Sequence, residues 1–357
     1  MKKKMILIGT SLCLILTTFF LLQRLLTPKY VSQVPEGSLI EEYYDEDVYD
    51  HQVVFVGDCE VYENFSPISL WSDYGIRSFI RGSAQQLIWQ SYYLMEETIA
   101  YEKPDVIVFN VLSMKYGEPQ NEAYNRLNID GMKWSSSKWN AIQASMMENE
   151  SVIDYIFPLL RYHQRWSELT SEDFQYMFGG KPKISHNGFL MRVDELAVDT
   201  IPEPTPLSDY QFSKTCYEYL DKMVELCQDN GVQLVLIKAP SLYPAWYDEW
   251  DEQMEAYAKE KGVTYINFLK HIDDIGLDFH HDTYDAGLHL NLSGAEKLSR
   301  YFGQYLVDHH MIKDMENDQE TIDRWQEKVD FYDNMKNDQY RELKEYGYLK
   351  SYGAKKK

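Results

Sequence analysis

Two short strings hold residue types that could do covalent chemistry together. The first is Val56-Gly57-Asp58-Cys59-Glu60, placed after the apolar run Val53-Val54-Phe55-Val56. A small residue, an acid and a nucleophile at the carboxyl end of a strand form an active-site arrangement. Gly57 permits a tight turn. A helix opening at Cys59 offers free backbone N–H groups and a positive dipole end. Both favour a thiolate and an oxyanion, so the expectation is an acidic, reactive Cys59 thiol. Taken alone, the string fits a buried cysteine at a strand end better. The second string changes that weighing. It is Tyr284-Asp285-Ala286-Gly287-Leu288-His289-Leu290-Asn291. Asp285 can orient His289, and His289 can deprotonate a nucleophile. Asn291 or Ser293 then opens a helix with Ala295, Leu298, Phe302 and Leu306 on its apolar face, so the acid and the imidazole sit on the preceding loop.

Other clusters carry less. His280-His281-Asp282 lies near Asp285 and His289, but the spacing matches no zinc pattern, so no metal and no cofactor is expected. Ser185-His186-Asn187 and Arg161-Tyr162-His163 read as solvated loops. Cys216, Leu220, Met223 and Cys227 recur at helical spacing. In one helix the two cysteines stand ~16 Å apart along the axis, too far to pair, and read as small buried hydrophobes.

The elements that would position these residues follow from the apolar runs. Strands are expected at Val53–Val56, Ile76–Ile80, Asp105–Phe109, Val232–Ile237 and Val263–Phe268. Helices are expected over 83–100 and about 208–227, with another ending at Lys261-Gly262. Continuous apolar strands alternating with helices predict a parallel sheet covered on both faces. The expected fold is α/β, a doubly wound flavodoxin-like sheet over residues 51–310, with its site beyond the carboxyl ends of the strands. Residues 113–207 break the alternation. They are rich in aromatics (Trp134, Trp139, Trp166, Phe174, Phe178) and close on Pro202, Pro204 and Pro206. They are expected to form a partly helical insertion over the sheet's upper edge, as a substrate groove or a structural cap. Residues 311–357 predict a charged helix with an apolar stripe of Ile322, Trp325, Val329 and Tyr332, then a frayed tail ending Lys355-Lys356-Lys357.

The N-terminus suggests an address. Met5 to Leu22 carries no charge and follows Lys2-Lys3-Lys4. Eighteen helical residues rise about 27 Å, close to the hydrocarbon thickness of a bilayer. No small-residue cleavage site follows, so residues 1–25 read as an uncleaved signal anchor. Lysines before the span place the N-terminus in the cytoplasm and the rest outside. Cys13 lies within this span, and Leu12 before it argues against a lipoprotein cleavage box. Residues 26–50, with Glu41, Glu42, Asp45, Glu46, Asp47 and Asp50, read as an acidic stalk. The net charge of −22 repels phosphate backbones, which excludes general nucleic-acid binding. Aromatics reach 15%, which allows stacking on sugar faces.

From about Val53 to His310 the chain resembles the SGNH (GDSL-like) hydrolase superfamily. Gly57-Asp58-Cys59 matches that family's Gly-Asp-Ser block with Cys in place of Ser. Gly82, in Arg81-Gly82-Ser83, matches the glycine after the second strand. Asn110 is the nearest residue to the family's Asn after the third strand, and Asn121 is a second candidate; the Gly-x-Asn-Asp pattern is missing. The last block, Asp-x-x-His, is here Asp285-x-x-x-His289, one residue longer. The resemblance implies Cys59 as nucleophile, His289 as base, Asp285 as its partner, and Gly82 and Asn110 at the oxyanion. Anchor, outward domain and insertion together resemble a narrower branch, the cell-surface O-acyl transfer proteins such as the alginate acetylation proteins and the lipoteichoic acid D-alanylation protein. That implies a membrane-bound O-acyltransferase partner and a cell-surface polysaccharide or teichoic-acid-like acceptor. Cys in place of Ser would form a thioester, more reactive towards an acceptor hydroxyl than an ester. Three readings stay open: an O-acyltransferase, an esterase, and an inactive glycan-binding or assembly subunit.

Overall fold

The apolar runs become five parallel strands in the computed structural model, which describes residues 2–32 and 34–352. They are β1 (Val53–Gly57), β2 (Ser78–Gly82), β3 (Val106–Asn110), β4 (Gln233–Lys238) and β5 (Thr264–Asn267), ordered β2-β1-β3-β4-β5. Every residue of β1, β2 and β3 is buried, which is why their sequences run apolar without alternation. The two sides of the pleat still separate. Val53, Phe55, Val106 and Val108 enter one core, and Val54, Val56, Ile107 and Phe109 enter the other. The register sets Gly57 beside Gly82 at the carboxyl edge.

The helices are, in chain order, α1 (Lys2–Leu26), α2 (Leu39–Glu42), α3 (Cys59–Tyr62), α4 (Pro67–Tyr74), α5 (Ile88–Tyr101), α6 (Glu122–Ile129), α7 (Ser136–Ser145), α8 (Val152–Ile156), α9 (Pro158–Tyr162), α10 (Ser171–Gln175), α11 (Lys214–Asn230), α12 (Asp248–Lys261), α13 (Ile272–Ile275), α14 (Leu292–Asp308) and α15 (Gln319–Tyr346). Helices α4, α14 and α15 cover one face of the sheet, and α5, α11 and α12 the other. Cys216 and Cys227 are buried on one face of α11, as their spacing predicts. That helix starts later than expected, where Ser213 caps it by accepting from Cys216 N at 3.1 Å. Helix α5 also starts late, because Ser83 to Leu87 form a turn in which Gln90 accepts from Leu87 N at 2.9 Å.

Residues 35–45, expected within a stalk, pack against the domain instead. Leu39, Ile40 and Tyr43 are fully buried. Two acids beside them, Glu42 and Glu102, are buried and bonded. Glu42 accepts from Ile184 N at 2.8 Å, and Glu102 accepts from the Tyr43 hydroxyl at 2.8 Å. Residues of the insertion divide into two parts. Helices α6 and α7 build a third apolar cluster against α5, in which Ile129, Ala141 and Ile142 meet Leu94 and Ile40. This part lies on a helix face, not over the sheet edge. The later part crosses the carboxyl edge. Phe189, Leu190 and Met191 enter the main core, and Leu190 N donates to Tyr62 O at 2.8 Å. Ser185, His186 and Asn187, expected on a solvated loop, are buried along the side of the edge strand β2, where Asn187 O accepts from Ile80 N at 2.9 Å. Helix α15 docks through Trp325, stacked on Trp71 at 5.0 Å, while Ile322 stays exposed. Lys355 to Lys357 lie outside the described residues. Helix α1 is long and apolar enough to be a membrane anchor or a signal peptide.

Candidate active site

The start of α3 is shaped by two glycines. Gly57 takes a φ of +153°, and a Cβ there would stand 3.1 Å from the Asn110 Cβ. A Cβ on Gly82 would stand 3.1 Å from both Gly57 O and Val61 Cγ2, so α3 seats against β2 only because that position is bare. Asp58 caps α3, accepting from Glu60 N at 3.2 Å. Cys59 is the first residue of the helix and is partly exposed.

The His289 loop closes against the same edge. An antiparallel bridge joins Thr283 to Leu290. Between them Ala286 and Gly287 take positive φ of 63° and 95°, which absorbs the extra residue between Asp285 and His289. The Thr283 hydroxyl donates to His289 O at 2.7 Å, and Asn64 accepts from Leu290 N at 2.9 Å, tying the loop to the segment after α3. Asp285 then holds His289 twice. One carboxylate oxygen accepts from the backbone N at 2.8 Å, and the other lies 2.6 Å from Nδ1. A carboxylate at that distance requires the proton on Nδ1. His289 Nε2 is left buried and without a bonded partner. This is the orientation a general base needs.

Sequence reasoning missed a second carboxylate. Glu63, one turn beyond Cys59, is buried with an oxygen 3.6 Å from His289 Nδ1. It accepts a short hydrogen bond from the Tyr284 hydroxyl. The Tyr284 ring lies parallel to the imidazole and under the Arg192 guanidinium, 4.1 Å from its centroid. Tyr284 stood in the string that drew attention to His289. Glu63 had no such signal, since an acid at a helical spacing ordinarily faces water.

Charge follows from this surround. Burial alone would depress the His289 imidazole, but the charge of Glu63, the Cys59 sulfur and the bond to Asp285 hold it well above 6.5. Burial pushes Glu63 upward despite the imidazole beside it. The Cys59 thiol is pushed up to about 11, because burial outweighs the lowering by His289 and the nearby carboxylates add to it. The expectation of an acidic thiol is therefore corrected. Cys59 and His289 perturb each other as a hydrogen-bonding pair does, yet the resting geometry forms no bond of good alignment at Nε2. Hydrogen bonds of this kind are commonly loose before substrate enters.

Directly behind lies a sealed polar cluster. Lys238 and Glu60 are fully buried and paired, with both carboxylate oxygens 2.9 Å from Nζ. Asn110 donates to Asp58 and to Glu60, each at 3.0 Å, and accepts from Ala239 N at 3.2 Å. Its amide is thus committed to the cluster, not free for an oxyanion. Burial and the charge of Glu60 raise Asp58 to about 6. Asn121, the second Asn candidate, caps α6 by accepting from Ala123 N at 2.8 Å. His281 is exposed and meets Glu195 at 3.3 Å, and Asp282 is paired with Lys297 at 2.6 Å. No metal-binding cluster occurs among the described residues. Arg161 and Tyr162, expected on a solvated loop, end helix α9, where Arg161 pairs with Glu122 and the buried Tyr162 donates to Asp130 at 3.0 Å.

No family model and no curated protein matches the sequence. Several solved structures are similar, three of which are as follows. A candidate lipolytic protein of the G-D-S-L family from Desulfitobacterium hafniense DCB-2 is 14% identical with a TM-score of 0.36, over 71% of this chain and 99% of that one. A candidate acylhydrolase from Bacteroides fragilis NCTC 9343 is 13% identical with a TM-score of 0.35, over 72% and 86%. A GDSL-like lipase from Bacteroides thetaiotaomicron VPI-5482 is 12% identical with a TM-score of 0.37, over 76% and 99%.

Proposed function

We propose that this protein is an SGNH-like acyl-transfer enzyme, an esterase or O-acyltransferase, with Cys59 as nucleophile and His289 as base. The observation that carries the reading is the His289 geometry. A carboxylate 2.6 Å from Nδ1 leaves Nε2 buried and unpartnered on an imidazole close enough to Cys59 for the two groups to perturb each other. The acids around the imidazole and the burial of the thiol both raise their groups, so the pair holds its protons more tightly than the free groups do. Loss of one proton from the pair readies the site. The sulfur then attacks the acyl carbonyl carbon. As the tetrahedral species collapses, the bond to the donor oxygen breaks and His289 returns a proton to that oxygen. An acceptor hydroxyl or water next attacks the thioester, giving its proton to His289, and the thiolate departs. Donor ester and acceptor hydroxyl exchange one acyl group.

In this reading α1 is a retained anchor, the domain lies outside the cell, the acceptor is a cell-surface polysaccharide or teichoic-acid-like polymer, and a membrane-bound O-acyltransferase supplies the acyl group. The test is turnover of an activated acetyl ester by the full chain in detergent. Activity lost in Cys59→Ala and in His289→Ala supports the enzyme, and a rate that rises with added glycan hydroxyls supports transfer over hydrolysis. Turnover equal in all three proteins would refute it. One observation favours a second reading, a binding subunit without turnover: the Asn110 amide is bonded to Asp58 and Glu60 and is not free at an oxyanion. Absence of any turnover with bound glycan would establish that alternative.

A further inference from the structure

The insertion exposes a broad apolar face that no catalytic role explains. Ile153, Ile156, Phe157 and Leu160 recur at helical spacing across α8 and α9 and are all exposed. Trp166 is 58% exposed, Phe174 54% and Phe178 72%. Water-soluble surfaces scatter such residues singly and rarely gather them.

The position of α1 supplies the occupant. Helix α1 meets α9, α10 and the turn around 163–167. Phe19 packs edge-on against Phe157 with ring centroids 5.8 Å apart. Phe19 lies three residues before Leu22, about 4.5 Å inside the end of the uncharged run. Phe157 therefore sits at the depth of the span's outer end. The join is fixed, since Arg165 donates to Leu26 O at 2.6 Å, satisfying a terminal carbonyl of α1. Charges of both signs lie at this level: Lys29, Arg161 and Arg165 stand among Asp154, Glu168, Glu172 and Asp173. Arg161 and Arg165 are paired with Glu122 and Asp173. Exposed apolar side chains that include a Trp, level with the end of a membrane span, are the pattern of an interfacial surface.

We propose that residues 152–178 lie in the lipid headgroup and upper acyl region of the bilayer that α1 crosses, so that the protein is held by a face as well as a span. This rests on α1 being a membrane helix. The full chain is reconstituted in nanodiscs of phosphatidylcholine and phosphatidylglycerol, with lipids brominated near the headgroup or near the chain terminus. The Trp166 contribution is taken as wild type minus Trp166→Phe. It is expected to lose at least about half its intensity to headgroup-proximal bromine and less to deep bromine. Phe174→Glu with Phe178→Glu should reduce that loss without changing the melting temperature. Resistance to alkaline carbonate extraction tests α1 separately. Trp166 unquenched in a carbonate-resistant protein would overturn the proposal and leave another protein as the occupant of this face. Trp166 quenched in a carbonate-sensitive protein would support the face while refuting the anchor, and failure of both would refute both.

Discussion

Two clusters of charge flank the short helix α3, and they have opposite bonding states. On one side Asp58, Glu60, Asn110 and Lys238 are buried, with Asn110 bonding both carboxylates and Lys238 bonding Glu60. On the other, Glu63, Asp285 and Tyr284 surround His289 but leave Nε2 without a partner, and Cys59 is partly exposed. The bonds of the sealed side hold the turn that opens α3. The open side keeps one unpartnered imidazole nitrogen and one partly exposed thiol, which the proposed acyl transfer would use. The same four-residue helix thus joins two clusters that differ in how fully their groups are bonded.

The largest effect should come from breaking the sealed side. Lys238→Ala leaves Glu60 buried and unpaired, and should cost about 3–5 kcal/mol of stability by chemical denaturation. Lys238→Met with Glu60→Met removes both charges and should recover much of that loss. If Lys238→Ala melts like wild type, the sealed cluster is not what holds the turn. On the open side, Asp285→Asn should leave the fold intact and lower kcat by about 10²- to 10³-fold, because the imidazole loses the partner that fixes its tautomer. Glu63→Gln should act more gently. It removes a charge that keeps His289 protonated, so the alkaline rise in activity should move down by about one pH unit. An unchanged pH profile would show that Glu63 is a bystander.

The smallest effects concern the thiol itself. Iodoacetamide should label Cys59 ahead of the buried Cys216 and Cys227, slowly at neutral pH, with a rate that climbs towards about 11. Because His289 lowers the thiol, His289→Ala should move that midpoint higher still. The sign for stability is also set. Cys59 titrates higher in the folded protein than its free value of ~8.5, so its contribution is complete below that pH and is lost as pH rises through 11. Cys59→Ser should shallow the alkaline fall in melting temperature by that contribution alone.

The sheet and the two chemical strings were legible because their signals are local. Val53–Val56 and Val106–Phe109 are unbroken apolar runs, and Gly57 and Gly287 mark turns that other residues resist. What was not legible is charge that folds inward. Glu42 looked solvated, yet it is buried beside Leu39, Ile40 and Tyr43 and bonds backbone N–H groups across the domain, while Glu41, Asp45 and Asp47 of the same run are exposed. Lys238 ends an apolar strand, and Glu60 follows Cys59, but nothing in their spacing of 178 residues shows that they pair. Asn110 illustrates the same limit. Its place after β3 suggested an oxyanion role, and only the packed structure reveals that Asp58 and Glu60 already hold its amide.

The central claim is a covalent acyl group on sulfur. The direct measurement is intact-mass and peptide mass spectrometry of the full chain, acid-quenched after brief exposure to an activated acetyl ester. The account predicts one added acetyl group on the peptide carrying Cys59, removed by hydroxylamine at neutral pH, formed faster at alkaline pH, and absent from Cys59→Ala. Turnover of the ester with no acetyl on Cys59, and undiminished in Cys59→Ala, would contradict it.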